Sequence, residues 1–226
     1  MIEKDEFEKS LKQPLTYWGN KSKSEVQCLL GNEVAQMVGF NQRNPHHCFD
    51  LFLHSLYTVD NLNNAPLELQ IAAFFHDIGK TVVAKEKEER LVFYGHAKES
   101  AKIAKRILFD LKYKESEIEI ICFYIEHHDD FISWVLPTES YDKENPYLVE
   151  ITAENIKNHI NYESNAFGVA AYKDKYIIWS NLLLLCEADA AAQSEFVYQN
   201  GVMVSSRNQK MYRCFAIRKI VSGLYK

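Results

Sequence analysis

Residues 67–80, Leu-Glu-Leu-Gln-Ile-Ala-Ala-Phe-Phe-His-Asp-Ile-Gly-Lys, restrict what this chain can fold into more than any other stretch. After Glu68 the run is nearly all apolar, so a helix built from it has no solvated face and belongs inside a core. Asn63-Asn64-Ala65-Pro66 breaks the chain ahead of it, and Pro66 suits the first helical turn, where a missing N–H costs nothing. The helix then runs into His76-Asp77, with Gly79 as its exit. An imidazole and a carboxylate are expensive to bury without partners. A metal ion satisfies both at once, and other parts of the chain must then supply its remaining ligands.

Helical periodicity recurs along most of the sequence. Helices are expected over residues 3–12, 24–38, 47–62, 67–77, 96–111, 115–128, 155–165, 173–193 and 207–222. Residues 81–84 and 91–94 are β-compatible around a charged tip, which gives a short hairpin or loop near residues 81–94. Residues 129–150 hold two prolines and many polar groups and read as a loop. No repeat and no Gly- or Ser-rich linker divides the chain. The expected fold class is all-α, a helical bundle. Its domain is expected over residues 45–195, with an N-terminal helical extension (1–44) and a C-terminal helical extension (196–226) packed on the same domain.

The formal net charge of −5 gives no general attraction to nucleic acid or to anionic membranes. The longest apolar run, around residues 177–186, is interrupted by Ser180-Asn181 and is too short to span a bilayer. The five cysteines are scattered without C-x-x-C spacing and read as reduced core thiols. The N-terminus, Met-Ile-Glu-Lys-Asp-Glu, is too charged for a signal peptide. A cytoplasmic protein with no membrane partner and no stable nucleic-acid partner is expected, its oligomeric state open.

Seven of the eight histidines lie between His46 and His128. In the helix expected at 47–62, His47, Asp50 and His54 fall at i, i+3 and i+7 and share a face. In the helix at 173–193, Ile178, Leu182, Leu185 and Asp189 form one stripe, which puts the Asp189 carboxylate at a core position that needs a cation or several donors. His54, His76, Asp77 and Asp189 make a mixed set of two imidazoles and two carboxylates, suited to Mn, Fe, Co, Ni, Zn or Mg. His96 opens one helix and His127-His128 close another, and both extend the set; periodicity does not choose between His127 and His128. Lys80, three residues past Asp77, is placed to meet a phosphate as a point charge.

The order His54, His76-Asp77, Asp189 resembles the HD-domain superfamily of metal-dependent phosphohydrolases. Residues 72–80, Ala-Ala-Phe-Phe-His-Asp-Ile-Gly-Lys, are similar to the signature of its HDIG branch, and Phe52-Leu53-His54-Ser55-Leu56 to its first-histidine motif. Residues 93–101, Phe-Tyr-Gly-His-Ala-Lys-Glu-Ser-Ala, are similar to a helix start seen in HD domains attached to tRNA nucleotidyltransferases. The resemblance covers about residues 45–195. Asp129-Asp130-Phe131 follow His127-His128, so the longer motif of the HD-GYP cyclic-dinucleotide hydrolases is not matched. About 45 residues precede the first motif, too few for a nucleotidyltransferase domain.

The resemblance implies an all-α fold with one or two divalent ions. His54, His76, Asp77 and Asp189 correspond to the family tetrad; His96 and one or both of His127 and His128 would hold a second ion, with Asp77 bridging. Hydroxide from a metal-bound water, formed near neutral pH, would attack phosphorus in a phosphomono- or phosphodiester of a nucleotide or RNA end. Asp77 and Lys80 are the expected catalytic residues, and Lys80 the expected substrate contact. His47, Asp50, Asp129 and Asp130 are candidates to orient the ligands, and Asp129 or Asp130 also to transfer protons. Two other readings share the scaffold: a non-catalytic metal- or nucleotide-binding regulatory module, and a di-iron oxygenase.

Overall fold

The computed structural model describes residues 2–88, 90–168, 175–199 and 202–224. The N-terminal part runs α1 (Lys4–Ser10), α2 (Pro14–Trp18), α3 (Lys23–Leu30), α4 (Asn32–Ala35), α5 (Leu51–Asp60), α6 (Leu67–Phe75) and α7 (Lys80–Val83). A hairpin of β1 (Lys85–Lys87) and β2 (Arg90–Val92) leads to α8 (His96–Asp110) and α9 (Glu115–His127). Then come β3 (Trp134–Val135), β4 (Val149–Glu150), α10 (Ala153–Phe167), α11 (Lys175–Ala191), β5 (Phe196–Gln199), β6 (Val202–Ser205) and α12 (Arg207–Gly223).

Helix α6 is buried, as a helix without a polar face must be: Leu69, Ile71, Ala72, Ala73, Phe74 and Phe75 are all inside. The Phe74 ring meets Phe7 of α1 at 5.4 Å, Trp18 of α2 at 5.7 Å and Phe52 of α5 at 5.9 Å between centroids. Rings of this size each contribute about 1.5–3 kcal/mol on full burial. The N-terminal helices therefore share one apolar cluster with α6, and the same cluster extends to Val221 of α12. The buried indole N–H of Trp18 donates to Ser10 Oγ at 2.7 Å, which removes the cost of an unpaired donor. Around α9 and α11 a second aromatic group forms, with Trp179 against Phe123, Phe131 and His159.

The fold is helix-rich but departs from all-α. β1 and β2 are antiparallel, β3 and β4 parallel, and β5 and β6 antiparallel. The first hairpin lies within residues 81–94 but starts at Lys85. Residues 81–83 instead continue the helical path, with Thr81 Oγ1 donating to Ile78 O at 2.9 Å. The hairpin of β5 and β6 replaces part of the expected C-terminal helical extension. Its sequence carries β-branched and aromatic runs on either side of Asn200-Gly201, a strong hairpin signal.

The helix expected over 24–38 is broken at Gly31, whose φ of +91° leaves helical space. The helix expected from residue 47 begins at Leu51, because Asp50 caps it by accepting the Leu53 N–H at 2.9 Å. Pro14 starts α2 at its first position. Residues 173 and 174 of the expected long helix lie outside the described residues. Cys122, Cys186 and Cys214 are buried, but Cys28 and Cys48 are exposed, so the cysteines are not uniformly core residues. Among the described residues no helix is long and apolar enough to cross a membrane.

Candidate metal centre

Five segments deliver the site. The chain leaves α6 at Phe75, and His76 and Asp77 occupy the buried turn that follows, at 0% and 2% exposure. α5 presents His54 from its buried face. Gly95 adopts a left-handed conformation (φ +77°) as the N-cap of α8, so that His96 is the first helical residue. His128 follows the last residue of α9, and α11 brings Asp189.

Asp77 offers one carboxylate oxygen to each of two groups. Its Oδ2 lies 3.5 Å from His54 Nε2 and 3.3 Å from His76 Nε2. Asp189 Oδ1 closes this group, 2.9 Å from His54 Nε2 and 3.7 Å from His76 Nε2. Asp77 Oδ1 lies 3.2 Å from His96 Nε2 and 3.6 Å from His128 Nε2, and those two nitrogens are 3.3 Å apart. Asp129 flanks the second group, with Oδ2 3.2 Å from His96 Nε2 and Oδ1 3.7 Å from His128 Nε2.

These residues fit divalent ions. Each of the four imidazoles has its Nδ1 against a backbone carbonyl: His54 on Ala192, His76 on Ala73, His96 on Phe93 and His128 on Ile125, at 2.7–3.3 Å. With Nδ1–H donating, every Nε2 of a neutral ring presents its lone pair toward Asp77, the arrangement by which backbone acceptors orient metal-binding histidines. His54 Nε2, His76 Nε2 and Asp77 Oδ1 are buried without a hydrogen-bond partner. Ligands bonded at about 2.1 Å to one tetrahedral ion stand about 3.4 Å apart, which matches the separations here. His54, His76 and Asp77 form one group able to hold an ion; Asp77, His96 and His128 form another.

The charges of the site balance one another when no ion is present. Burial opposes charge on His76, but the carboxylates of Asp77 and Asp189 prevail and push its pKa up to about 10. Burial also works against the Asp77 carboxylate, yet Lys80 and His76 hold it well below the ordinary carboxylate range. Asp189 is likewise lowered against its burial by His54 and His76. His128 is raised despite burial, chiefly by Asp129 and Asp77. A cation entering this cluster must displace a proton.

Lys80 is not free to reach outward. It is 7% exposed, with Nζ 2.7 Å from Asp77 Oδ2 and 3.0 Å from Gln42 Oε1. The expectation has this lysine meeting substrate phosphate; here its ammonium is paired with Asp77. His127 makes a different set of contacts. Its Nδ1 lies 2.8 Å from Asp130 Oδ2, which is itself 2.9 Å from His159 Nε2, and its ring packs on Phe123, Phe167 and Trp179. Adjacent residues point about 100° apart at a helix end, so only one of His127 and His128 can face Asp77, and the geometry selects His128.

Asp50 serves as a helix cap and not as a ligand-orienting group. His47 does lie beside the site, its ring edge-on to His54 at 4.8 Å, and burial together with Lys80 and His54 drives its pKa to about 2. Sequence reasoning missed Gln42 and Gln193. Gln193 Nε2 lies 3.3 Å from both oxygens of Asp189; its only sequence signal is the i+4 spacing from Asp189. Gly79 has a role other than a flexible exit. Its φ is −63°, and a Cβ there would stand 2.5 Å from His96 O and 2.6 Å from Ser100 N, so its lack of a side chain lets α8 approach. Its N–H donates to Ser100 Oγ at 2.9 Å. A cleft of about 60 Å³ opens beside the centre, lined among others by His128, Asp129, Asp189, Gln193, Lys210 and Arg213.

The HD domain family model matches residues 46–171, more than half of the chain, and the chain belongs to that family. HD domains bind divalent metal ions. A CC-adding tRNA nucleotidyltransferase from Thermus thermophilus is 34% identical over 136 residues, a match that covers 56% of this chain and 31% of the relative. The similarity to HD domains attached to tRNA nucleotidyltransferases is thus borne out, while the chain spans less than a third of that relative's length.

Proposed function

We propose that this HD domain is a metal-dependent phosphohydrolase, acting on a phosphomono- or phosphodiester of a nucleotide or an RNA end. The observation that carries the reading is Asp77, whose two oxygens face two separate sets of imidazole lone pairs. Divalent ions held there, of Mn, Fe, Co, Ni, Zn or Mg, would activate water as the nucleophile and neutralise charge on the phosphoryl oxygens.

His54, His76, Asp77 and Asp189 would hold one ion, and Asp77, His96 and His128 a second. Lys80 fixes the Asp77 carboxylate in position through its 2.7 Å contact. Asp129 keeps about a third of its side chain exposed beside His96 and His128 and lines the cleft. A carboxylate there is placed to take part in proton transfer at the reacting group. Residues 45–195 carry the proposed ligands, and Lys210, Arg213 and Cys214 of α12 line the cleft. The relative's name, a tRNA nucleotidyltransferase, favours a nucleotide or RNA end over other phosphate esters.

Metal-stripped protein reloaded with Mn, Co, Ni, Zn or Mg should hydrolyse members of a panel of aryl phosphomonoesters, aryl phosphodiesters and nucleotides. His76→Ala should abolish that activity. A metal-loaded chain that hydrolyses none of them contradicts the reading and points to a binding module.

A further inference from the structure

We propose that Lys210, on α12, binds the phosphoryl group of the substrate, whose oxygens take the place now held by the amide oxygen of Gln193. The inference rests on the phosphohydrolase reading above and adds the residue that recognises the phosphate.

The cations around the centre differ in what they are already bound to. Lys80 is committed to Asp77. Arg213 lines the same cleft but is paired with Glu139 through three contacts of 2.9–3.1 Å, and Gln209 donates to the same carboxylate. Lys210 has no carboxylate within ion-pair distance among the described residues. Among the described residues its ammonium donates to Gln193 Oε1 alone, a neutral acceptor. Burial lowers its pKa in spite of Asp189 and Asp129 nearby, as for an amine short of neutralising charge. An under-neutralised ammonium facing a cleft is a standing cost, and an anion removes it.

Its placement matches the centre. Gln193 donates to both oxygens of Asp189 and accepts from Lys210, so the ammonium sits one amide away from a candidate metal ligand. A phosphoryl group over the ions reaches Lys210 by displacing that amide oxygen. The lysine is carried on a fixed element: Arg218 of α12 pairs with Glu187 of α11 at 2.9 and 3.0 Å, and Arg213 anchors α12 to the 129–150 segment. α12 lies outside the residues matched by the family model.

The test uses the full chain loaded with Mn, with Lys210→Met and Lys210→Arg. Binding of inorganic phosphate is measured by calorimetry, metal content by elemental analysis, and KM and kcat on the best ester found. Lys210→Met should weaken phosphate binding about tenfold or more and raise KM, with metal content unchanged; Lys210→Arg should restore most of the affinity. Unchanged phosphate affinity in Lys210→Met overturns the proposal. So does loss of metal in that variant, which would make Lys210 a prop for Asp189. If the wild-type chain binds phosphate through Lys210 yet cleaves no ester, the phosphohydrolase reading fails and the phosphate site stands. If it cleaves esters with a KM indifferent to Lys210→Met, the reverse holds.

Discussion

His96 Nε2 lies 3.2 Å from Asp77 Oδ1, although a hairpin and the α7 turn separate the two residues in sequence. The approach depends on the turn after α6 touching the first turn of α8 without an intervening side chain, and Gly79 occupies that point of contact.

Gly79→Ala should therefore push α8 away from Asp77. Overpacking of this kind costs about 1–3 kcal/mol, read as a lower Tm. The geometric consequence is more specific: the ion held by His96 and His128 should be lost while the ion at His54, His76 and Asp189 is retained. Metal titration of the variant checks this, and a full metal complement at unchanged Tm would contradict it.

The adjacent histidines at the end of α9 should behave differently. His128→Ala removes a nitrogen aimed at Asp77 and should lower metal content by one ion. His127→Ala should leave metal content intact and instead destabilise the fold by about 2–4 kcal/mol, because it empties a buried place between Phe123, Phe167 and Trp179 and leaves Asp130 short of a partner. Thermal denaturation and elemental analysis of the two variants separate the roles.

Much of this site was legible in the sequence. The all-round apolarity of α6 required burial, and with it a partner for His76 and Asp77. The stripe through Ile178, Leu182 and Leu185 carried Asp189 inward. What stayed hidden was decided by single contacts between distant segments. Nothing near Lys80 announces that Gln42 will draw it inside, and Gln193 and Lys210 share no motif. Asp50 looked like part of a helical face because the helix was expected to start earlier; its short acceptor side chain instead sets where the helix begins. The β5 and β6 hairpin had a readable signal at Asn200-Gly201 that helical periodicity further along outweighed.

Asp50→Ala should accordingly act as loss of a helix cap, costing about 1 kcal/mol without altering metal affinity. Chemical denaturation with and without Mn measures both quantities. A large loss of metal affinity in this variant would return Asp50 to the site.

The pKa shifts set a pH profile for the metal-free protein. His76 is raised to about 10, so the folded state keeps a proton that the unfolded chain releases above about 6.5. Stability from this group is complete below 6.5 and falls as pH rises toward 10. His47 is lowered to about 2, so below 6.5 the unfolded chain binds a proton that the folded chain does not, and acid also removes stability. The metal-free protein should be most stable near pH 6.5. With metal bound, His76 holds no proton, and the alkaline decline should flatten. Tm measured from pH 5 to 9 with and without chelator tests this; a metal-free Tm that climbs steadily through that range would contradict it.

The central claim is that one carboxylate, Asp77, serves two ions. Its most direct test is the metal-to-protein ratio of wild-type and Asp77→Ala chains, each saturated with Mn, desalted and measured by elemental analysis. The account predicts two ions per wild-type chain and loss of both in Asp77→Ala. A wild-type chain that saturates at one ion, or an Asp77→Ala chain that keeps its full complement, would contradict it.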